Sequence, residues 1–157
     1  MRHIRGFTLI EAMVALAVLG VLTTLAVPGL QKVVAKQRMS SASYDVMSDL
    51  TLARSEAIKR GSTVEMVPLS GTNWSSGWQV RNAADASILA QRPAIGTSLS
   101  LTVLVGATVQ SRVQFDGSAQ VLNGGTVKFS LNDGYGNSRC IQLDPTGRPK
   151  SSMAACT

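Results

Sequence analysis

The stretch AMVALAVLGVLTTLAVPGLQ, residues 12–31, decides how this 157-residue chain is organised. It holds 20 residues without a charged side chain and is rich in leucine, valine and alanine. An α-helix needs about 20 such residues to cross a bilayer of about 30 Å. A secretory signal would have a shorter apolar region followed by a cleavage site, whereas here the apolar run continues into an amphipathic segment. The sequence therefore predicts a membrane-spanning helix that the mature protein keeps.

The helical pattern continues beyond this run. Gly20 and Pro28 interrupt it, and an interior proline costs a helix about 3 kcal/mol, so we expect a weak point there. Apolar residues then recur at spacings of four and three: Val46, Leu50, Ala53 and Ala57. The charged residues of this segment are predicted to take other faces: Asp49, Arg54, Glu56, Lys59 and Arg60. Gly61 is predicted to end a helix that covers residues 7–60.

From residue 61 the pattern changes to short β-branched runs separated by turn residues. The predicted strands cover residues 62–67, 77–81, 98–105, 107–115, 126–131 and 138–143. Three dipeptides are typical of hairpin turns: Asp116-Gly117, Asn123-Gly124 and Asp133-Gly134. The predicted fold class is α+β: a long N-terminal helix, membrane-spanning over about residues 7–31, packed on a small antiparallel β-rich head formed by residues 61–157.

The composition argues against an enzyme. The chain has a formal net charge of +6, and its one histidine, His3, lies in the N-terminal segment that we expect to be removed. Without a histidine, Ser/His/Asp and Cys/His catalysis and His-ligated metal sites are excluded. Neither GxxxxGK[ST] nor GxGxxG is present. We expect no catalytic residue, no metal and no cofactor.

Residues 6–11 read GFTLIE and follow the short basic leader MRHIR. This segment resembles the type IV prepilin signal. The resemblance implies that a membrane prepilin peptidase cuts between Gly6 and Phe7, that residues 1–6 are removed and that Phe7 is then N-methylated. It also implies a single-pass protein of the bacterial inner membrane, with its head in the periplasm, which joins an extracellular pilus on assembly.

Glu11 is an acid inside the apolar helix. An ionised group at the centre of such a helix costs about 2.5 to 3.5 kcal/mol on insertion scales. After cleavage the α-amine of Phe7 lies one turn away, and the helix N-terminus is partly positive, so the carboxylate is matched locally. The resemblance implies that Glu11 contacts the terminal amine of a neighbouring subunit and aligns subunits in a filament of minor and major pilins or pseudopilins.

Three further stretches resemble the GspH/FimT-type minor pilins and pseudopilins. LARSEAIKR, residues 52–60, resembles the end of this family's long helix, and CIQLDPTGRPK, residues 140–150, resembles its C-terminal end. Trp74 with Gly77-Trp78 resembles its first head hairpin. We expect both tryptophans to be core or sheet-covering residues rather than a ligand platform.

The C-terminal tail contains both cysteines, Cys140 and Cys156. If they pair, the disulfide places the head on the oxidising side of the membrane and stabilises the fold by roughly 3 kcal/mol. Between them, residues 144–147 (DPTG) predict a β-turn that projects Arg148 and Lys150 from an exposed, constrained loop.

Residues 147–150, GRPK, resemble the Gly-Arg-x-Arg motif that is associated with DNA binding during natural transformation in FimT-like proteins. The lysine at the last position still neutralises a phosphate but lacks the bidentate fork of arginine. Lys128 and Arg139 extend this basic surface if they share its face. The alternative is that all four cations belong to an ordinary solvated surface.

Two readings of the function remain open. In the first, the chain is a minor pilin at or near the tip of a type IV pilus, with double-stranded DNA as a possible ligand. In the second, it is a GspH-like minor pseudopilin of a type II secretion system, which helps to export folded proteins. Both share the same anchor and head.

Overall fold

The structure is a computed structural model that describes residues 7–156. The predicted leader, residues 1–6, and with it Gly6 lie outside the described residues, as does Thr157. For residues 25, 26 and 28 only the backbone is described.

One long helix, α1, runs from Leu9 to Arg60. Its first turn is capped by Thr8, whose Oγ1 accepts a hydrogen bond from the Glu11 amide at 3.3 Å. Its last turn carries Lys59 and Arg60, and Arg60 Nε donates to the Glu56 carboxylate at 2.7 Å. Basic residues at this end suit the negative pole of the helix dipole.

The chain divides into two compact units, residues 1–34 and 35–157. In the first unit the described side chains are exposed, and most of them are apolar. No single helix among the described residues is long and apolar enough to span a membrane. The segments Leu9–Thr24 and Gly29–Arg60 meet both criteria when they are counted together as one bent pair. The break between these segments includes Pro28, which cannot donate to the helical hydrogen-bond ladder.

The second unit contains two antiparallel sheets. The first has the strand order β3-β2-β1-β6 and is built from β1 (Val64–Ser70), β2 (Asn73–Asn82), β3 (Ile88–Arg92) and β6 (Val113–Phe115). The second has the order β5-β4-β7-β8-β9 and is built from β4 (Leu99–Val105), β5 (Thr108–Val109), β7 (Val127–Asp133), β8 (Ser138–Leu143) and β9 (Pro149–Ser152).

The core of this unit lies between one face of α1 and the two sheets. The helix contributes Met39, Ala42, Val46, Leu50, Ala53 and Ala57, all buried. Trp74 and Trp78 are also buried, and Trp74 packs edge to face against Phe129 with ring centroids 5.8 Å apart. The predicted fold class, a long N-terminal helix on an antiparallel β-rich head, is confirmed, as is the core position of both tryptophans.

The strand predictions needed three corrections. The single strand predicted over residues 107–115 is two strands in different sheets, because the chain crosses between the sheets after β5, where the Gln110 carbonyl accepts a hydrogen bond from Trp74 Nε1 at 2.7 Å. Strands β3 and β9 were missed, since each lies at the edge of its sheet and lacks a clear apolar pattern. Pro149 is compatible with β9 because it is the first residue of an edge strand.

Candidate functional site

The apolar surface of residues 7–31 is one candidate interaction surface. Its described large apolar side chains are all exposed, by 51% at Val27 to 81% at Leu9. Glu11 is the one charged residue in this range and is itself exposed, in the first turn of α1. A helix face of this kind is stable only when lipid or other apolar helices cover it.

An ionic cluster around the buried Asp49 joins α1 to the first sheet. Asp49 is 2% exposed and accepts hydrogen bonds from Trp78 Nε1 at 2.8 Å and from Arg92 Nε at 2.9 Å and Nη2 at 3.1 Å. The hydrogen bond to Asp49 raises the pKa of Arg92. Asp45 reaches the same guanidinium at 3.3 Å. The prediction that Asp49 takes a face away from the core was wrong, because its charge is matched by a residue 43 positions further along the chain.

The two cysteines form the predicted disulfide, Cys140–Cys156, with Cα atoms 5.0 Å apart. Cys140 lies in β8, and the bond fixes the tail that follows β9 against the second sheet. The tail covers Cys140, which is 1% exposed.

The predicted turn at residues 144–147 is present, with the Gly147 amide donating to the Asp144 carbonyl at 2.9 Å. Asp144 Oδ1 accepts hydrogen bonds from Thr146 Oγ1 at 2.6 Å and from the Arg148 amide at 3.1 Å. These two bonds hold the pKa of Asp144 below its usual value. The turn therefore fixes the backbone from which the Arg148 side chain extends into solvent.

Position 147 needs a glycine because a neighbouring loop and the Arg54 side chain approach its backbone closely. It has a φ of +75°, and a Cβ atom there would lie 2.6 Å from the Ala119 carbonyl oxygen and 3.1 Å from Arg54 Cδ. The Pro145 carbonyl accepts a hydrogen bond from the Val121 amide at 3.1 Å, which holds the same two loops together. The glycine of the GRPK segment thus seats the loop on the head.

Two of the candidate cations share one face of the second sheet. Lys128 pairs in register with Gln142, and Gln142 pairs with Lys150, so the three residues form one row across β7, β8 and β9. Adjacent strands lie about 4.8 Å apart, which places the two lysine backbones about 10 Å apart. We call the surface formed by Lys128, Gln142, Lys150 and the neighbouring exposed Arg148 the basic row. Lys150 lies in β9, not in a loop as predicted.

Arg139 does not join the basic row. It pairs in register with Leu131, a buried core residue, and three positions separate it from Gln142, so its side chain is on the opposite face of the sheet. Arg139 is only 9% exposed. The expectation that Arg139 extends the same surface was therefore wrong, because side chains alternate along a strand and that of Arg139 lies on the opposite face of the sheet. Arg139 instead lines a pocket with Lys36, which sequence reasoning missed.

Among residues 7–156, no group of three or more histidine, cysteine, aspartate or glutamate side chains could hold a metal ion.

Two protein families match the chain. Residues 42–147 match the family described as Type II transport protein GspH, and residues 1–27 match the Prokaryotic N-terminal methylation motif. A curated fimbrial protein of Pseudomonas aeruginosa is 25% identical over 157 residues, which cover 99% of this chain and 98% of that protein.

Solved structures share the fold. The type IV minor pilin FimU of P. aeruginosa superposes with a TM-score of 0.64 at 17% identity, covering 74% of this chain and 90% of that one. The minor pseudopilin EpsH from the Type 2 Secretion System of Vibrio cholerae superposes with a TM-score of 0.55 at 12% identity, covering 75% and 97%. With the GspH match over most of the chain, the long helix and the two antiparallel sheets, this chain belongs to the GspH family and is a minor pilin or pseudopilin of the GspH/FimT-like type.

Proposed function

We propose that this protein is a minor subunit of a type IV pilus, assembled at or near the tip. The observation that carries the proposal is the exposed apolar surface of residues 7–31 with one carboxylate, Glu11, in its first turn. Before assembly the subunit lies in the inner membrane with its head in the periplasm, and lipid covers this surface. The helices of neighbouring pilins cover it after assembly.

Residues at the start of the helix have two proposed roles: cleavage of the leader and alignment of subunits along the filament. A prepilin peptidase cuts between Gly6 and Phe7, and the methylated α-amine of Phe7 becomes the cation nearest to Glu11. An ion pair between Glu11 and the Phe7 amine of a neighbouring subunit offsets the cost of a carboxylate in an apolar environment. This pairing sets the position of each subunit along the filament, and the protein acts by assembly rather than catalysis.

The pilus is preferred to a secretion pseudopilus because of the curated relative. That fimbrial protein aligns over 99% of this chain, including both the helix and the head. The alternative is a GspH-like minor pseudopilin of a type II secretion system, which the family description and the EpsH fold favour. The two differ in the filament that the chain enters.

Replacing Glu11 tests the proposed role of its charge. Glu11→Gln keeps the shape and removes the charge, so we expect normal cleavage and methylation but strongly reduced recovery in sheared pili. Thr8→Ser is the matched control, because it changes the same turn and keeps a hydroxyl for the cap. Normal recovery of Glu11→Gln in pili would contradict the proposal.

A second candidate function is contact with double-stranded DNA, and the basic row favours it. Lys128 and Lys150 share one sheet face, and Arg148 is exposed beside them. The acid beside these three cations is Asp144. The hydrogen bond from Thr146 is the largest cause of its lowered pKa, and the positive charge of Lys150 lowers that pKa further. A surface with more cations than acids binds phosphates without reading the base sequence.

DNA binding is tested with the head fragment, residues 35–157, and a labelled duplex at low and physiological salt. We expect affinity that falls steeply with salt and is greatly weakened by Arg148→Ala with Lys150→Ala. Lys59→Ala is the control because it removes an exposed charge outside the basic row. If the wild-type fragment shows no salt-dependent binding, the basic row is a solvated surface and the pilin role stands alone.

A further inference from the structure

Arg139 is a buried cation that forms no ion pair with any of the described residues. Among residues 7–156 its Nε atom is buried and has no hydrogen-bond partner, and none of the ion pairs includes it. The carboxylate of nearby Asp133 is taken up by the Asn137 side chain at 2.7 Å and by the amides of Tyr135 and Asn137. A buried guanidinium is costly unless an anion or several acceptors meet it, so this site is incomplete as it stands.

The pocket beside Arg139 has room for such an anion. Its volume is about 460 Å³, and its lining includes a second cation, the exposed Lys36 of α1, with Asn137 and Ser138 as further polar groups. None of the described residues that line it is an aspartate or a glutamate. The remaining wall is apolar and includes Met39 and the 81% exposed Met153. The lining therefore matches a ligand with an anionic end and an apolar end.

We propose that this pocket, between the first head turns of α1 and the β7–β8 hairpin, binds the phosphate of an anionic phospholipid through Arg139 and Lys36. Arginine and lysine are the usual partners of phosphate oxygens. Lys36 follows Gln31, the last residue of the uncharged run, by five residues, and five residues of chain reach at most about 18 Å. Lys36 therefore stays within reach of the lipid that surrounds residues 12–31, and the exposed Met153 offers an apolar contact to the rest of the lipid.

This binding has a role of its own before assembly. A lipid held by Arg139 and Lys36 links the head to the membrane and supplies the missing counter-charge. Extraction of the subunit into a filament removes the lipid and leaves Arg139 and Lys36 without it, so the site acts only in the membrane-anchored state. The inference does not depend on which filament the chain enters.

The test uses the full-length chain purified in a neutral detergent, titrated with phosphatidylglycerol and followed by native mass spectrometry. We expect Arg139→Gln to weaken lipid binding about tenfold or more and Lys36→Gln to weaken it several-fold, since each loses a charged hydrogen bond. Lys59→Gln is the matched control and should bind as the wild type does. Thermal unfolding followed by tryptophan fluorescence checks that each variant is folded. If Arg139→Gln does not fold, Lys36→Gln still tests the pocket.

Inorganic phosphate at millimolar concentration forms the second arm. If phosphatidylglycerol binds and phosphate does not displace it, the lipid is the ligand. If phosphate displaces the lipid and binds as tightly alone, the lipid assignment is overturned in favour of a free anion. If lipid retention is the same in wild type, Arg139→Gln and Lys36→Gln, the pocket does not bind lipid and the proposal fails.

Discussion

The carboxylate of Asp49 accepts a hydrogen bond from the indole nitrogen of Trp78 at 2.8 Å, in the buried contact between α1 and β2. The same carboxylate holds the guanidinium of Arg92 at the end of β3. One side chain thus fixes the helix to two strands of the first sheet. Because this part of α1 carries the head, the cluster determines how the head is attached to its own helix.

Removing Asp49 should destabilise the head strongly. Asp49→Ala leaves the buried Trp78 indole nitrogen without its partner and the part-exposed Arg92 guanidinium without its main counter-charge, and we expect a loss of about 2 to 3 kcal/mol. The measurement is urea unfolding of the fragment 35–157, followed by the fluorescence of its two tryptophans, both of which are buried.

Asp45→Ala is the matched control, because Asp45 binds the same guanidinium from an exposed position. Its side chain is 45% exposed, so we expect a loss of no more than about 1 kcal/mol. Equal losses for the two variants would show that burial of Asp49 does not govern the energetics of this cluster.

Gly147→Ala should destabilise the head more than Gly124→Ala. Both glycines have a φ of +75°, so both substitutions carry the same backbone cost of about 1 to 2 kcal/mol. A Cβ at Gly147 meets the Ala119 carbonyl at 2.6 Å, whereas at Gly124 it meets nothing within 4 Å. We expect a further loss of about 1 to 3 kcal/mol at Gly147 alone. Equal unfolding free energies for the two variants would contradict the close loop packing.

Reducing the Cys140–Cys156 bond should lower the free energy of unfolding by about 3 kcal/mol. The check is urea unfolding of the fragment 35–157 with and without dithiothreitol, beside the double variant Cys140→Ser/Cys156→Ser. The reductant should have no effect on the double variant. An unchanged midpoint for the reduced wild type would mean that the tail contributes nothing to stability.

The Asp144 turn should weaken in acid. The pKa of Asp144 is lowered in the folded state, so its charge stabilises the fold above the ordinary aspartate pKa and ceases to do so as the pH falls through the folded-state pKa. Asp144→Asn keeps an acceptor for Thr146 and Arg148 but removes the charge. We expect the wild type to have the higher melting temperature at neutral pH and the difference to shrink in acid; a difference that is the same at pH 3 and pH 7 would exclude this role of the charge.

The helix and the general class of the head could be predicted from the sequence, because both rest on local patterns. Long apolar periodicity and β-branched runs between turn residues require no knowledge of distant partners. Edge strands are different: β9 begins with Pro149 and is otherwise polar, and only its hydrogen bonds to β8 make it a strand. The crossing between sheets near Gln110 is likewise set by tertiary contacts.

The site residues show the same division. Asp49 follows Val46 by three positions and so falls on the core face, but its charge favoured an outward prediction because the sequence does not show that Arg92 neutralises it. For Arg139 a local signal did exist, since it alternates with the buried Ile141 and Leu143 in β8. The row formed by Lys128 and Lys150 depends on strand register, which the sequence does not display.

Mass spectrometry of sheared type IV pili, from a strain that lacks type II secretion genes, tests most directly whether this chain is a pilus subunit. We expect the chain in the filament fraction, without residues 1–6 and with a methylated Phe7 at its N-terminus, and we expect Gly6→Ala to be absent from that fraction. Recovery only in the membrane while pili assemble normally, or recovery in pili with residues 1–6 still attached, would contradict the role as a processed pilus subunit.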